Sequence, residues 1–578
     1  MPDPAIHVSH LSIKIEGQPM PPEMISSLQE GIVDLNLHLP GMFTLRFLST
    51  DMHWLEDDTF REGKKVEIEV GEPPVKLISG KITGIEPELS QGEPRLLVRG
   101  FDLSHKLYRG RKRRAFTNVT DADLARQLAQ EAGLQPGVID SAPGAPFEYV
   151  YQNNQTDAEF LMERARRLGF ELFVSDETLN FRRPAPQGQT VQLAWGEKLR
   201  NFRARLSTAE QVNEVEVRGW DFRQKQAVQG RATSGDGAPQ IGISQPGPDV
   251  ARNAWGEAKI AIVDHFVRSP SEADQIAKSA FDELASSFVE AEGTCDADPE
   301  IKPGKQVQVS NVGSRFNGAY YVTAAVHEWN LREGLVTHFT ISGRRDNGVM
   351  SLLDPQPAHK RVYGLVIGTV TNNQDPDGLM RVKVRFPWLS DSDESAWARL
   401  VSPMAGNGRG FMYLPEVDDE VAVAFENGDI EHPYVVGALW NGQDSPPIGQ
   451  NDALGAGGQV NKRVIKSRAG HTILLDDSPG GEEITIVDKT GSNKIVFHSP
   501  DNSLQIKVDG DMKIEAQGKI SLKANTGLEV DGGSSLSFKG ASGTVEGTGD
   551  LTIKNGAGAQ ISLSGPTVNI NSGALEVT

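Results

Sequence analysis

From Leu504 to Leu536 an apolar residue recurs every eight positions, and each is followed two residues later by another: Leu504/Ile506, Met512/Ile514, Ile520/Leu522, Leu528/Val530 and Leu536/Phe538. The same pairing precedes the run at Ile484/Ile486 and Ile495/Phe497. It continues less regularly at Leu551/Ile553, Ile561/Leu563, Val568/Ile570 and Leu575/Val577, and Val508 adds a third position to the Leu504 pair. Gly510, Gly518, Gly540, Gly547 and Gly565 punctuate the spaces as turn residues. A fixed period carrying a two-residue alternation is the pattern of a β-solenoid. A single-chain solenoid coil needs about twenty residues to circle back on itself, so eight are too few. Residues 464–578 are therefore expected to form an intertwined β-helix, with neighbouring strands supplied by different copies. Backbone N–H and C=O groups would then pair across chains, and the apolar pairs would fill a shared axial core. Each buried Leu, Ile or Val contributes about 1.5–3 kcal/mol. A succession of ordinary hairpins is the plainer alternative, and it asks the same of the glycines, namely positive φ.

The rest of the composition narrows the function. The chain has 578 residues, a formal net charge of -20 and only 7% aromatic residues. An acidic surface repels phosphate backbones, so nucleic acid is not an expected partner. One basic run, Arg109, Arg111, Lys112, Arg113 and Arg114, stands against that background and reads as a solvated loop or a protein-interface patch. Cys295 is the single cysteine, so no intrachain disulfide forms and cytoplasmic synthesis is expected. The N-terminus lacks the basic end and apolar core of a signal peptide, and no run of about 20 apolar residues occurs.

Upstream of the repeat the chain alternates short strands with a few helices. Strands are expected at Val66–Val70, Lys76–Ile85, Arg95–Gly100, Val212–Arg218, Gln306–Ser310 and Ala319–Trp329. Helices are expected from Thr120 to Gly133, from Thr156 with a Thr156/Glu159 capping box, and over Ser271–Ala291. Gln226–Pro248 reads as a loop and Asp354–His359 as a linker. Five short strands between Val362 and Trp440 suit a small OB-type barrel. The expected domains are 1–355, 356–445, a linker at 446–463, and 464–578.

Several segments carry a family likeness. The helix-then-strand stretch Thr156-Asp-Ala-Glu-Phe-Leu to Arg167-Leu-Gly-Phe-Glu-Leu-Phe resembles VgrG and phage late-control tail-hub proteins. Lys302-Pro-Gly-Lys-Gln-Val-Gln-Val and Gly318-Ala-Tyr-Tyr-Val-Thr-Ala-Ala-Val-His are similar to the later barrel of those hubs, and Gly368 to Trp388, Val401 to Val421 and Glu426 to Gly442 resemble their OB domain. The plain Phe386-Pro-Trp388 is closer to phage-like extracellular injection particles than to type VI forms. The resemblance implies a mainly β fold: two β-barrel hub domains with associated helices, an OB barrel and a triple-stranded β-helix needle. It also supplies the number three, since the octads alone require only an intertwined oligomer. The implied role is the homotrimeric central spike of a contractile injection particle, which joins tube to tip and pierces the target envelope when the sheath contracts. Implied partners are inner-tube and baseplate proteins and a PAAR-type tip protein at the C-terminal end.

Enzymatic readings find little support. Asn441–Asn461 is too short to hold an inserted hydrolase, the repeat runs to Thr578, and no Gly-x-Ser-x-Gly, His-Glu-x-x-His or phosphate-loop motif occurs. No catalytic, cofactor or metal residues are expected. The last histidines are His471 and His498, far from the C-terminus, and His432 reads as a loop-stabilising residue. A glycan-binding tail fibre or adhesin is the alternative, although Trp is absent after Trp440, where sugar-binding surfaces favour aromatics.

Overall fold

Local capping sets the helix starts. In this computed structural model, which describes residues 11–343 and 361–577 apart from 51, 91–92, 143, 187, 237–239, 244, 264 and 571–574, helix Asp121–Glu131 opens on a reciprocal box: the Thr120 hydroxyl accepts the Asp123 N–H and the Asp123 carboxylate accepts the Thr120 N–H, both at 3.1 Å. Helix Asp157–Leu168 repeats the device with Thr156 and Glu159. It stops at Gly169, whose φ of 68° is the left-handed conformation glycine adopts without strain. The two helices bury Leu124, Leu128, Phe160 and Leu161 against strands Glu171–Ser175 and Thr178–Arg182 in one core. The third helix is shorter than its apolar pattern predicts. It spans Pro270–Ser286, because strand Val289–Asp296 takes the following residues to pair with Leu199–Leu206 and Gly334–Ile341.

The chain is mainly β, with 41% strand and 14% helix. Its dominant element is an 11-stranded sheet that joins the two halves of the hub. The seam is one antiparallel pair, Leu28–Asn36 against Ala324–Asn330, in register from Ala324↔Asn36 to Asn330↔Glu30. Each side has its own core, one around Phe43, Leu45, Phe47 and Ile68, the other around Val307, Val309, Tyr320 and Phe339. Buried His327 sits on the seam strand, donating from Nε2 to the Ile301 carbonyl at 3.1 Å and accepting the Thr337 hydroxyl at Nδ1, 3.0 Å away. Burial pushes its pKa down to about 4, so it is neutral there.

Two expectations change. The run Ala319–Trp329 is not one strand but two, Gly318–Tyr321 and Ala324–Asn330, which enter different sheets. Gln226–Pro248 does not start as a loop: Gln226–Ala232 pairs with Glu214–Asp221, and helix Pro270–Ser286 covers that sheet. The expected linker Asp354–His359 lies outside the described residues.

The OB barrel is a five-stranded sheet in the order Lys383–Arg385, Val366–Asn372, Glu420–Phe425, Pro433–Ala438, Arg399–Leu400. Its 375–381 turn is fixed by Arg381, which donates from Nη2 to Asp375 Oδ1 at 2.7 Å and from Nε to Oδ2 at 3.0 Å. These bonds hold the Asp375 carboxyl well below the usual carboxylate range. The barrel core of Val370, Val384, Val421 and Val423 also takes in Tyr151, and packs against Ala115 and Tyr149, all three from the hub.

Residues 447–578 form a separate compact unit. Strands Lys462–Lys466, Thr472–Asp476, Glu483–Val487, Lys494–His498 and Ser503–Lys507 make an antiparallel meander. Leu551–Lys554, Gln560–Ser564, Thr567–Ile570 and Leu575–Val577 make a second one. At Ile484 through Ile506 and Leu551 through Val577 the strand partners therefore belong to the same chain, against the expectation that they come from different copies. Turns between successive strands reverse the chain on itself, at 467–471, 477–482, 488–493 and 499–502 in the first meander and at 555–559 and 565–566 in the second. Among the described residues between Lys507 and Leu551, where the strict eight-residue period lies, no strand forms.

Candidate functional site

Side chains in a strand alternate faces, so antiparallel register decides which apolar residues share one. In the first meander, Ile465↔Ile473, Ile473↔Ile486, Ile486↔Ile495 and Ile495↔Ile506 form one row across all five strands. Leu475↔Ile484, Ile484↔Phe497 and Phe497↔Leu504 form a second row on the same face. This face is open: Ile486 is 43% exposed, Phe497 47% and Leu504 55%. A trough of about 590 Å³ runs along the first row, lined by Ile465, Ile473, Ile486, Ile495, Ile506 and Val508. The opposite face carries Val464, Leu474, Thr485 and Val496, of which Val496 is buried. Contiguous exposed apolar surface of this kind marks an interaction site.

The octads that follow are barer still. Met512, Ile514, Ile520, Leu522, Leu528, Val530, Leu536 and Phe538 are all exposed, Phe538 by 83%. In a single copy these side chains stay uncovered, and the backbone around them forms no strand. In the second meander Ile553↔Ile561, Leu551↔Leu563, Ile561↔Ile570 and Leu563↔Val568 repeat the cross-strand pairing. Val568↔Val577 and Ile570↔Leu575 extend it to the last strand. Of the five turn glycines, only Gly565 has positive φ, at 58°. Gly510, Gly518, Gly540 and Gly547 lie outside the left-handed region, because no intrachain hairpin turns there.

The basic run does not form a free patch. Arg111 pairs with Glu159 at 2.7 Å, Lys112 with Asp157 at 2.6 Å, and Arg114 with Glu131 at 2.8 Å, tying strand Lys112–Phe116 to both capped helices. His432 hydrogen-bonds Asp429 at 3.1 Å and lies 3.6 Å from the Phe266 ring, holding a loop of the OB barrel. Among the described residues no group of three or more His, Cys, Asp or Glu is placed to hold a metal ion, and no helix is long and apolar enough to cross a membrane. Cys295 is fully buried, and burial, with Asp298 and Asp296 nearby, pushes its thiol up to about 12. The folded protein should therefore resist alkylation by iodoacetamide and take up one label per chain only after denaturation. Fast labelling of the native chain, read by mass, would contradict this burial.

The joint between hub and OB barrel was not legible in the sequence. It brings Tyr151, Arg164 and Glu431 together from segments more than 250 residues apart. The only sequence-level hint was the Asp429-Ile-Glu-His-Pro string, read for His432 and not for its carboxylates.

A β hub joined to an OB barrel, followed by a segment that leaves its apolar face uncovered and forms no strand along its octads, defines a self-associating spike-type assembly protein. Comparison agrees. Residues 366–440 match the type VI secretion system/phage-baseplate injector OB domain. Residues 462–576 match the phage baseplate V C-terminal trimerisation domain, and 48–330 the Alg8 N-terminal domain. The chain is 23% identical over 568 residues to the type VI secretion system spike protein VgrG5 of Pseudomonas aeruginosa, covering 89% of this chain and 63% of that protein. It is 23% identical over 498 residues to VgrG3 of Vibrio cholerae, covering 78% of this chain and 44% of that protein. The chain thus spans less than two thirds of the length of either relative. A chain of the Francisella PdpA–VgrG complex shares the fold at a TM-score of 0.51 and 8% identity, over 86% of this chain and 80% of that one. Along most of its length the chain is thus similar to VgrG spike proteins.

Proposed function

We propose that the protein is the non-enzymatic central spike and hub of a contractile, phage-tail-like injection particle. The observation that carries this reading is the octad segment, whose apolar pairs are exposed and whose backbone forms no strand within one copy. Three copies wound together satisfy both needs, and the matched trimerisation domain covers the same residues. A needle of this kind converts axial force into local pressure and requires no chemistry of its own. The hub joins it to an inner tube and baseplate, a PAAR-type protein caps its tip, and sheath contraction drives it through the target envelope. The chain is made in the cytoplasm and assembled into the particle. The plain Phe386-Pro-Trp388 favours a particle of the phage-like extracellular type.

Particles assembled with the full chain should make target cells leak a small dye. Particles carrying a chain that ends before residue 447 should leave them intact. Equal leakage from both would overturn the piercing role. Peptidoglycan release by the purified chain would overturn the non-enzymatic one.

A further inference from the structure

Strand side chains alternate between faces, so when an apolar pair at two-residue spacing faces inward, the residues between and after its members face outward. The position after each octad pair holds Lys507, Glu515, Lys523, Asp531 and Lys539 in turn. Charged residues make up 24% of the chain, yet they fill all five of these places, and their sign alternates without a break. The other outward position, held by Gln505, Lys513, Ser521, Glu529 and Ser537, shows no such order. All five charged side chains are exposed in one copy. Within that copy the contacts they make are local: Glu515 reaches Lys513 at 2.6 Å and Lys507 reaches Asp509 at 3.9 Å. Eight residues of extended chain span up to about 26–29 Å, so successive members of the series are remote from one another along a single strand path.

We propose that these five charges form a ladder between copies that fixes their stagger, each octad lying beside the next-numbered octad of a neighbouring copy. The ladder rests on the wound-trimer reading. In a threefold arrangement, same-numbered octads stand at one height on three different sides, and each chain passes to the next side with every octad. On any one side, the strand above an octad is then the next octad of another copy, about 4.8 Å away. Lys507 of one copy meets Glu515 of a second, which meets Lys523 of the third, and Asp531 and Lys539 continue the column. Every step joins opposite charges, and opposite charges directly across a strand pair stabilise it.

The sign pattern also works against the two nearest alternatives. Same-numbered octads side by side would set Lys507 against Lys507 and Glu515 against Glu515. A stagger of two octads would set Lys507 against Lys523 and Glu515 against Asp531. Both bring like charges together at every step, which is destabilising. The apolar pairs cannot make this distinction, because Leu504/Ile506, Met512/Ile514, Ile520/Leu522 and Leu528/Val530 present much the same face after a slip of one whole octad. Burial of the apolar pairs drives the winding, and charge chooses its register.

Co-expression of the native full-length chain with one inverted at all five places, and marked by a longer tag, tests the ladder. The inverted chain carries Lys507→Glu, Glu515→Lys, Lys523→Glu, Asp531→Lys and Lys539→Glu. Inversion keeps every neighbour opposite within one kind of trimer but sets like charges together wherever the two kinds adjoin. Random assembly would make about three quarters of the trimers mixed, and native mass spectrometry should find that share reduced about tenfold or more. A second variant, Glu515→Lys with Lys523→Glu, keeps composition and net charge but puts like charges together at two of the four steps. Its trimer should melt about 5 °C or more below the native one at about 0.1 M salt, and level with it at about 1 M, where the screening length has fallen from about 10 Å to about 3 Å. Statistical mixing, an inverted chain that forms no trimer with itself, or a second variant whose melting shows no deficit or a salt-independent one would each overturn the ladder while leaving the native trimer standing. A native chain that is a monomer would overturn the trimer reading, and the ladder with it.

Discussion

Replacing Ile486 and Ile495 together with aspartate should reduce the protein in solution from three copies of a 62.7 kDa chain to one. These residues face each other across adjacent strands and continue into Ile473 and Ile506, so they lie at the centre of the exposed row. Covering each such side chain contributes about 1.5–3 kcal/mol, and the row repeats in every copy. Aspartate forfeits that gain and adds an unpaired carboxylate, which costs several kcal/mol when an apolar neighbour tries to cover it. The substitution leaves the chain's own fold little affected, because the face is already open in one copy. Light scattering measures the outcome directly. Thr485→Ser, on the opposite face of the same strand, serves as the control and should keep the native mass. A trimer that survives both aspartates would mean that the octads hold the copies together without the meander.

Asp121→Ala should destabilise the hub by about 3–5 kcal/mol, the cost of leaving one member of a buried ion pair uncompensated. Arg164 and Asp121 are 5% and 4% exposed, and Phe147 lies under the guanidinium at 4.1 Å, so losing the carboxylate leaves a buried cation. Replacing both, as Asp121→Leu with Arg164→Met, should recover much of the loss, since two apolar groups need no partner. The midpoint of hub unfolding by near-ultraviolet circular dichroism, at fixed chain concentration, reads the difference. Equal midpoints for native and Asp121→Ala would show that the pair contributes nothing. The same site bears on the joint, because Arg164 also faces Glu431.

The parts of the fold that were legible in the sequence are those whose determinants lie within a few residues. The Thr156/Glu159 capping box and the stop at Gly169 are set by bonds that span one helical turn, and a reader of the chain sees every partner at once. The five OB strands fall between Val362 and Trp440, where turn residues and alternation put them. Strand identity failed where alternation ran on past a corner. From Ala319 to Trp329 the pattern is continuous, but Val322 and Thr323 carry the chain from one sheet into another. Helix Pro270–Ser286 ended early for a related reason, since pairing partners elsewhere claimed Val289 onward.

The octads return as the sharpest case. Sequence alone determined the apolar alternation across residues 464–578 and the tight repeat that carries it, because period and alternation are local properties of the chain. Which strands pair was decided only in three dimensions. The chain closes on itself as a meander up to Lys507 and again from Leu551, while between them no strand forms within one copy. The hub seam of Leu28–Asn36 with Ala324–Asn330, and the buried contact of Tyr151 with Glu431, were likewise beyond the sequence. Alternation says that a strand has a buried face. It does not say which of many similar strands, hundreds of residues away, will cover it, and that choice rests on summed packing and hydrogen bonding across the whole fold.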